Sequence, residues 1–332
     1  MSMIELLGKK ILLVVPRFFG YEKEILEELQ RHGAQVDWLP DRPFDTPALT
    51  ALTKVAPKLI FPMADRLYDK LLGQFGSTHY DWVLVVNGQT LSAPFLRRLR
   101  GDYPSAKFVL YLWDSLSNRS HVRNNLSMFD RVLSFDHIDA KKYNLMLRPL
   151  FYGRGFSKTE PVAKPVLYDI SFVGTAHSDR YSVVDLVRAQ LAPDVAAFWY
   201  LYLQAPWVMH YYRLTKPGMK HARMGDFKFE PLSKAKVQAI FLESNCVLDI
   251  EHPSQVGLTM RTFETLGAQK KLVTTNVNVR DYDFFKSENI CVVNRTDPKI
   301  SADFLKTPFV PINDATYSKY AIQGWLKEVL AI

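Results

Sequence analysis

KKILLVVPRFFGYEKEILEELQRHGAQVDWLP, residues 9–40, decides the fold. From Ile11 to Val15 the side chains are apolar without alternation, the pattern of a strand covered on both faces in a parallel sheet. GYEKEILEELQRHG follows, with Tyr21, Ile25 and Leu29 four residues apart, charges between them and Gly33 as a stop. That is an amphipathic helix. AQVDWLP is a second strand. Strand, helix and strand joined by so short a crossover form a right-handed βαβ unit.

The same reading extends outward. WVLVVNG (82–88), AKFVLYLWDS (106–115) and RVLSFD (131–136) are further strands, so residues 1–150 are expected to form an open parallel α/β domain on the amino-terminal side. PLFYGRGFSKTEPVAKP (149–165) is rich in Pro, Gly and Lys, and a linker is expected over 151–167. The pattern then restarts. YDISFVG (168–174), NCVLDIE (245–251), KKLVTT (270–275) and NICVVN (289–294) read as strands, and SVVDLVRAQL (182–191) and SKAKVQAIFLES (233–244) as helices. The second domain is expected over 168–315, with one amphipathic helix in 316–332 packing back toward the first domain. The expected fold class is α/β: two Rossmann-like, doubly wound domains facing a cleft, with ligands at the carboxyl ends of the strands.

Composition narrows the function. The 332 residues are 48% hydrophobic and carry a formal charge of +8, from 42 basic against 34 acidic side chains. The excess suits a solvated surface or an anionic partner. No paired Cys/His spacing and no aromatic RNP-like stretch occurs, so no nucleic-acid partner is expected. Cys246 and Cys291 lie in apolar runs and read as reduced core residues. With no signal-peptide pattern and no apolar run near the ~18 residues of a membrane span, a cytoplasmic protein is expected, with peripheral contact at the inner membrane face as its only membrane role.

GLTMRTFETLG (257–267) is the candidate ligand site. Thr259 suits an N-cap, and the first turn of the helix it opens presents free N–H groups and partial positive charge, where a phosphate sits well. Gly257 lets the loop backbone approach a ligand. Arg261 in the first turn is unfavourable for the helix itself and suits a bound anion beside it. Glu264, three residues on, suits a ribose diol. A plain Arg261–Glu264 surface ion pair accounts for the same spacing. Gly174, Thr175 and Arg180, in FVGTAHSDR, form a second phosphate-facing turn or an ordinary strand-to-loop turn. The loop lacks G-x-G-x-x-G, which counts against a dehydrogenase.

TMRTFETLGAQKKLVTT (259–275) resembles the carboxy-terminal nucleotide-sugar signature of GT-B glycosyltransferases. The resemblance is to the bacterial surface-polysaccharide and lipopolysaccharide branch, whose second domain opens with a strand like YDISFVGT, and it covers 168–295. It implies that Glu264 holds the donor's ribose and that Arg261 and the Thr259 turn face its diphosphate. The implied donor is a nucleotide sugar, UDP-linked, used as substrate with no cofactor. The implied acceptor is a hydroxyl of a surface glycan or of a lipid-linked precursor. Many retaining members carry a second glutamate eight positions earlier, where this chain has Val256, with Gln255 beside it. Inversion is therefore favoured, and with it a base on the acceptor oxygen.

Asp114, at the end of FVLYLW, is the candidate base, with an Asp cap on the following turn as the plain alternative. Asn87, Gly88, Gln89, Asp136, His137, His121, Arg119 and Arg17 line the same expected edge, while Phe18 and Phe19 read as packing. DYD (281–283) has a metal-binding form but a loop setting, and no metal is expected. AAFWYLYLQAPWVMHYYRLTKPGMKHAR (196–223) reads either as a core segment with a basic edge or as a membrane contact. Two other readings stay open: a nucleotide-sugar epimerase of the same fold, and a non-catalytic nucleotide-sugar-binding subunit.

Overall fold

A computed structural model describes residues 5–42, 57–117, 120–157 and 165–332. The chain forms two compact units, Met1–Leu150 with Ile322–Ile332, and Phe151–Ala321.

In the first unit six strands run parallel: β1 (Lys10–Val15), β2 (Gln35–Pro40), β3 (Trp82–Val86), β4 (Lys107–Leu112), β5 (Arg131–Ser134) and β6 (Met146–Leu147). Their order is β2-β1-β3-β4-β5-β6, so the winding reverses between β1 and β3. Leu12, Val14, Val83, Val85 and Leu110 are fully buried on one side of this sheet, under the helices α2 (Pro57–Phe75) and α3 (Ala93–Asp102). α1 (Tyr21–Arg31) supplies the first crossover, as its period predicts. α4 (His137–Tyr143) follows β5.

The second unit repeats the plan with β7 (Tyr168–Thr175), β8 (Ala197–Tyr202), β9 (Phe227–Lys228), β10 (Ser244–Asp249), β11 (Lys271–Thr274) and β12 (Ile290–Val292), again all parallel. The order is β12-β11-β10-β7-β8-β9. Counted from β7, that is the 3-2-1-4-5-6 winding of a dinucleotide-type fold, with the switch point between β7 and β10. Its helices are α5 (Arg180–Gln190), α6 (Pro206–Thr215), α7 (Lys234–Leu242), α8 (Met260–Gly267), α9 (Ala302–Lys306) and α10 (Asp314–Lys319). Cys246 and Cys291 are free, and burial pushes the Cys246 thiol up to about 12.

Three expectations change. Of the stretch read as a linker, residues 158–164 lie outside the described residues, while Phe151, Tyr152 and Phe156 are buried in the second unit. Gly267 permits this: a Cβ there would meet the Tyr152 ring at 2.5 Å. The single helix read near the end of the chain is two. Tyr152 N–H donates to the Tyr320 carbonyl at 2.9 Å and pairs as a bridge with Ala321, which ends α10; α11 (Ile322–Leu330) then packs in the first unit, with Trp325 edge-on to Tyr111. AFWYLY, left open within 196–223, is the strand β8. Among the described residues no helix is long and apolar enough to cross a membrane.

Candidate functional site

The carboxyl ends of β7 and β10 flank the second unit's switch point, the position where open α/β sheets take ligands. β7 delivers Gly174, Thr175 and, just beyond, His177. β10 delivers Asp249, with Glu251 and His252 after it. α8 starts beside them.

Thr259 is the N-cap of α8, its hydroxyl oxygen accepting from the Thr262 N–H. The same hydroxyl donates to Asp249 Oδ2 at 2.6 Å, and the Thr262 hydroxyl does so at 2.7 Å. Arg261 Nη1 donates to Asp249 Oδ1 at 2.9 Å and Nη2 to the Val173 carbonyl at 2.6 Å, with the guanidinium over the Phe172 ring. Asp249 is wholly buried. Arg261 therefore pairs with Asp249 rather than Glu264, which removes the surface-ion-pair account. Its first-turn charge is answered inside the fold, so an anion is not needed to explain it. Gly174 makes room for this: a Cβ there would meet Arg261 Nη2 at 2.7 Å. The N–H groups of Met260 and Arg261 find no acceptor among the described residues.

Arg180 opens α5 and is nearly buried. Its Nε donates to the Ile250 carbonyl at 2.7 Å and its Nη1 to the Thr175 carbonyl at 3.2 Å. No carboxylate among the described residues forms an ion pair with it. Burial, then the charge of Arg261, lowers its pKa to about 10 despite more distant carboxylates. His177 lies in the same field. Burial first, then Arg180, His252, Arg261 and Lys216, lower it to about 4, so its ring is neutral at pH 7. The ring of His252 is 6.0 Å away.

Arg295 closes the far side. It donates to both oxygens of Asp179, at 3.0 and 2.8 Å, and to the carboxylate of Glu251. Thr275 donates to the other Glu251 oxygen at 2.5 Å. The loop before α8 is clamped by asparagines: Asn276 and Asn278 both donate to the Val256 carbonyl at 3.2 Å, and Gln255 donates to the Gly257 carbonyl at 2.9 Å. Gly257 is buried and does not take a left-handed φ. Glu264 is buried on α8, 6% exposed. Phe263 anchors the helix from its other face, against Phe284 and Tyr320.

Thr259, Arg261, Gly174, Thr175 and Arg180 thus come together with Asp249, His177 and Arg295, which the sequence reading did not single out. A signal for Asp249 and Glu251 was present. In VLDIE they lie two apart at a strand's end, hence on one face.

At the carboxyl edge of the first unit, Asp114 follows β4, is half-buried and accepts from the Ser115 N–H at 3.0 Å. Its neighbours are structural. Asp136 caps α4, accepting from the N–H groups of Ile138 and Asp139. Asp139 accepts from the Leu116 N–H at 2.6 Å. Buried Asp41 accepts from the N–H groups of Gln89 and Thr90. Asn87, at φ 69°, accepts from the Trp113 N–H, Gly88 follows at φ 66°, and His121 contacts the Gln89 carbonyl at 2.7 Å. His137 begins α4, and Arg119 lies outside the described residues. Phe18 and Phe19, read as packing, are 42% and 70% exposed. Phe18 is 6.0 Å from the Trp113 ring, and Arg17 lies over Trp38. Phe18, Phe19 and Trp113, the residue before Asp114, thus form a linked aromatic group.

Two six-stranded parallel sheets, each wound with helices, give this chain the GT-B fold of two Rossmann-like domains. Solved structures share it over nearly the whole length. A glycosyltransferase from Rickettsia africae is 12% identical with a TM-score of 0.54, covering 97% of each chain. Anabaena Alr3699/HepE, in complex with UDP and glucose, is 12% identical with a TM-score of 0.51, covering 96% of this chain and 95% of its own. The catalytic domain of Arabidopsis thaliana starch synthase IV, bound to ADP and acarbose, is 10% identical with a TM-score of 0.50, covering 98% and 96%. No protein-family model and no curated protein matches the sequence.

Proposed function

We propose that this protein is a cytoplasmic glycosyltransferase. It transfers a sugar from a nucleotide-sugar donor, UDP-linked, to a hydroxyl of a surface glycan or lipid-linked acceptor, with inversion. The observation that carries the reading is the β7/β10 switch point. There Arg180, which pairs with no carboxylate among the described residues, stands with the open N–H end of α8. Donors of that kind stabilise a leaving diphosphate, because they are fixed before charge develops and sit where water is scarce. Asp249 and Glu251, whose charges act on Arg180, are occupied by Arg261 and Arg295, so they hold the cradle in shape. Neutral His177 is suited to donate to a phosphate oxygen. Glu264 is assigned to the ribose, and no metal is required by this assignment.

On the first unit, Asp114 is assigned as the base that takes the acceptor's proton. It is partly exposed, whereas Asp41, Asp136 and Asp139 at the same edge are buried. The exposed rings of Phe18 and Phe19 offer a stacking surface for an acceptor sugar.

Calorimetric titration with UDP, GDP and CMP tests the donor class: UDP should bind most tightly, and binding by none ends the reading. Incubation of a UDP-sugar with the protein alone should leave it unchanged. Its conversion to a second UDP-sugar would instead establish an epimerase. Binding without turnover across a panel of acceptors would favour the non-catalytic subunit.

A further inference from the structure

The helix α6 has two unlike faces. Val208 and Met209 point into the second unit's core, 8% and 1% exposed. Trp207, Tyr211 and Leu214 point outward and are 68%, 55% and 87% exposed. Spacings of four and three residues place these side chains in one stripe along the helix. Leaving three large apolar groups in water is costly, and a stripe of this kind marks an interaction surface.

Charge indicates what covers it. From Leu203 to Gly225 the chain has no Asp and no Glu, but it carries Arg213, Lys216, Lys220 and Arg223. Arg213, Lys220 and Arg223 are exposed, and so is Met224 at the far end of the segment. An indole and a phenol, each with an apolar body and a polar tip, suit the headgroup region of a bilayer. Basic side chains of a single sign around them suit anionic lipid.

We propose that the outer face of α6, with the basic turn that follows it, docks this protein on an anionic membrane surface. The inference stands independently of the transferase reading, because none of its residues is assigned to donor or acceptor. Lys216 is set aside in the test, since its charge reaches His177.

The full chain is sedimented with vesicles of phosphatidylcholine alone and of phosphatidylcholine mixed with phosphatidylglycerol. Binding is expected on the mixed vesicles only and should weaken as salt rises. Arg213→Glu and Lys220→Glu should each weaken it by roughly fivefold or more, from the worth of one basic residue near anionic lipid. Leu214→Glu combined with Trp207→Ala should abolish it, with melting temperature and UDP affinity unchanged. No binding to the mixed vesicles overturns the proposal, as does binding that survives both sets of changes. A concentration-dependent dimer that Leu214→Glu dissolves, without vesicle binding, would instead make this face a contact between two copies.

Discussion

Replacing Asp249 with Ala tests the core of the site's construction. The wild-type carboxylate is 0% exposed and accepts three side-chain bonds, from Thr259, Thr262 and Arg261. Without it Arg261, whose side chain is 14% exposed, keeps its bond to the Val173 carbonyl and loses its counter-charge. Breaking a buried pair from one side costs about 3–5 kcal/mol. Against a total stability of roughly 5–15 kcal/mol that is a large share. For a unit of this size each kcal/mol moves the melting temperature by about 2–4 °C, so a fall of roughly 6–20 °C is expected in a thermal scan. Arg261→Met should also destabilise, because it strands the carboxylate. The double variant should fall short of the sum of the singles by about 1–3 kcal/mol, since the two groups share one interaction. The control is Asp297→Ala, at a side chain 54% exposed. If Asp249→Ala and Asp297→Ala melt within about 0.5 kcal/mol of each other, the surface range, the pair is not what holds α8 to β10.

His177 gives a pH signature. Its folded pKa, about 4, lies below the ordinary 6.5, so the stability it contributes is full above 6.5 and lost as pH falls toward 4. His177→Gln should flatten that part of the stability curve. UDP should raise the pKa of the wild-type ring, read by its NMR shift, and an unchanged value in saturating UDP would place the diphosphate elsewhere. Glu264→Ala should weaken UDP binding by roughly tenfold or more, the worth of a charged hydrogen bond; equal affinity by calorimetry would remove Glu264 from the ribose. Asp114→Asn should lower kcat by about 10²–10⁴ with the donor KM nearly unchanged, and full turnover would place the base elsewhere.

What the sequence discloses here follows from whether the signal is local. β1, β3 and β4 are covered on both faces, so their apolar runs are continuous and legible. β8 is only partly covered, and its aromatic run AFWYLY has neither alternation nor aliphatic continuity to mark it. The break between α10 and α11 is invisible locally, because the residues that impose it, Tyr152 and its neighbours, lie far back in the chain. The same holds for Arg261. Its spacing from Glu264 suggests a pair, yet the tertiary fold brings Asp249, on a buried strand, closer to it.

That exchange of partners changes which residue an incoming phosphate would meet. Asp249, at the end of β10, and Glu251, just beyond it, each capture one arginine, Arg261 and Arg295. Two of the three arginines at the switch point are therefore neutralised in place and act as struts. Among the described residues the third, Arg180, is tied only to main-chain carbonyls, so its orientation is fixed while its charge is not cancelled at contact distance. A buried charge without a contact partner is costly unless something completes it. An anion seated between Arg180 and the start of α8 would do so at the point where the sheet's winding reverses. In the proposed site the helix start found in the sequence would supply the amides, while the decisive charge would come from the β7–α5 turn, whose single glycine left it without a motif.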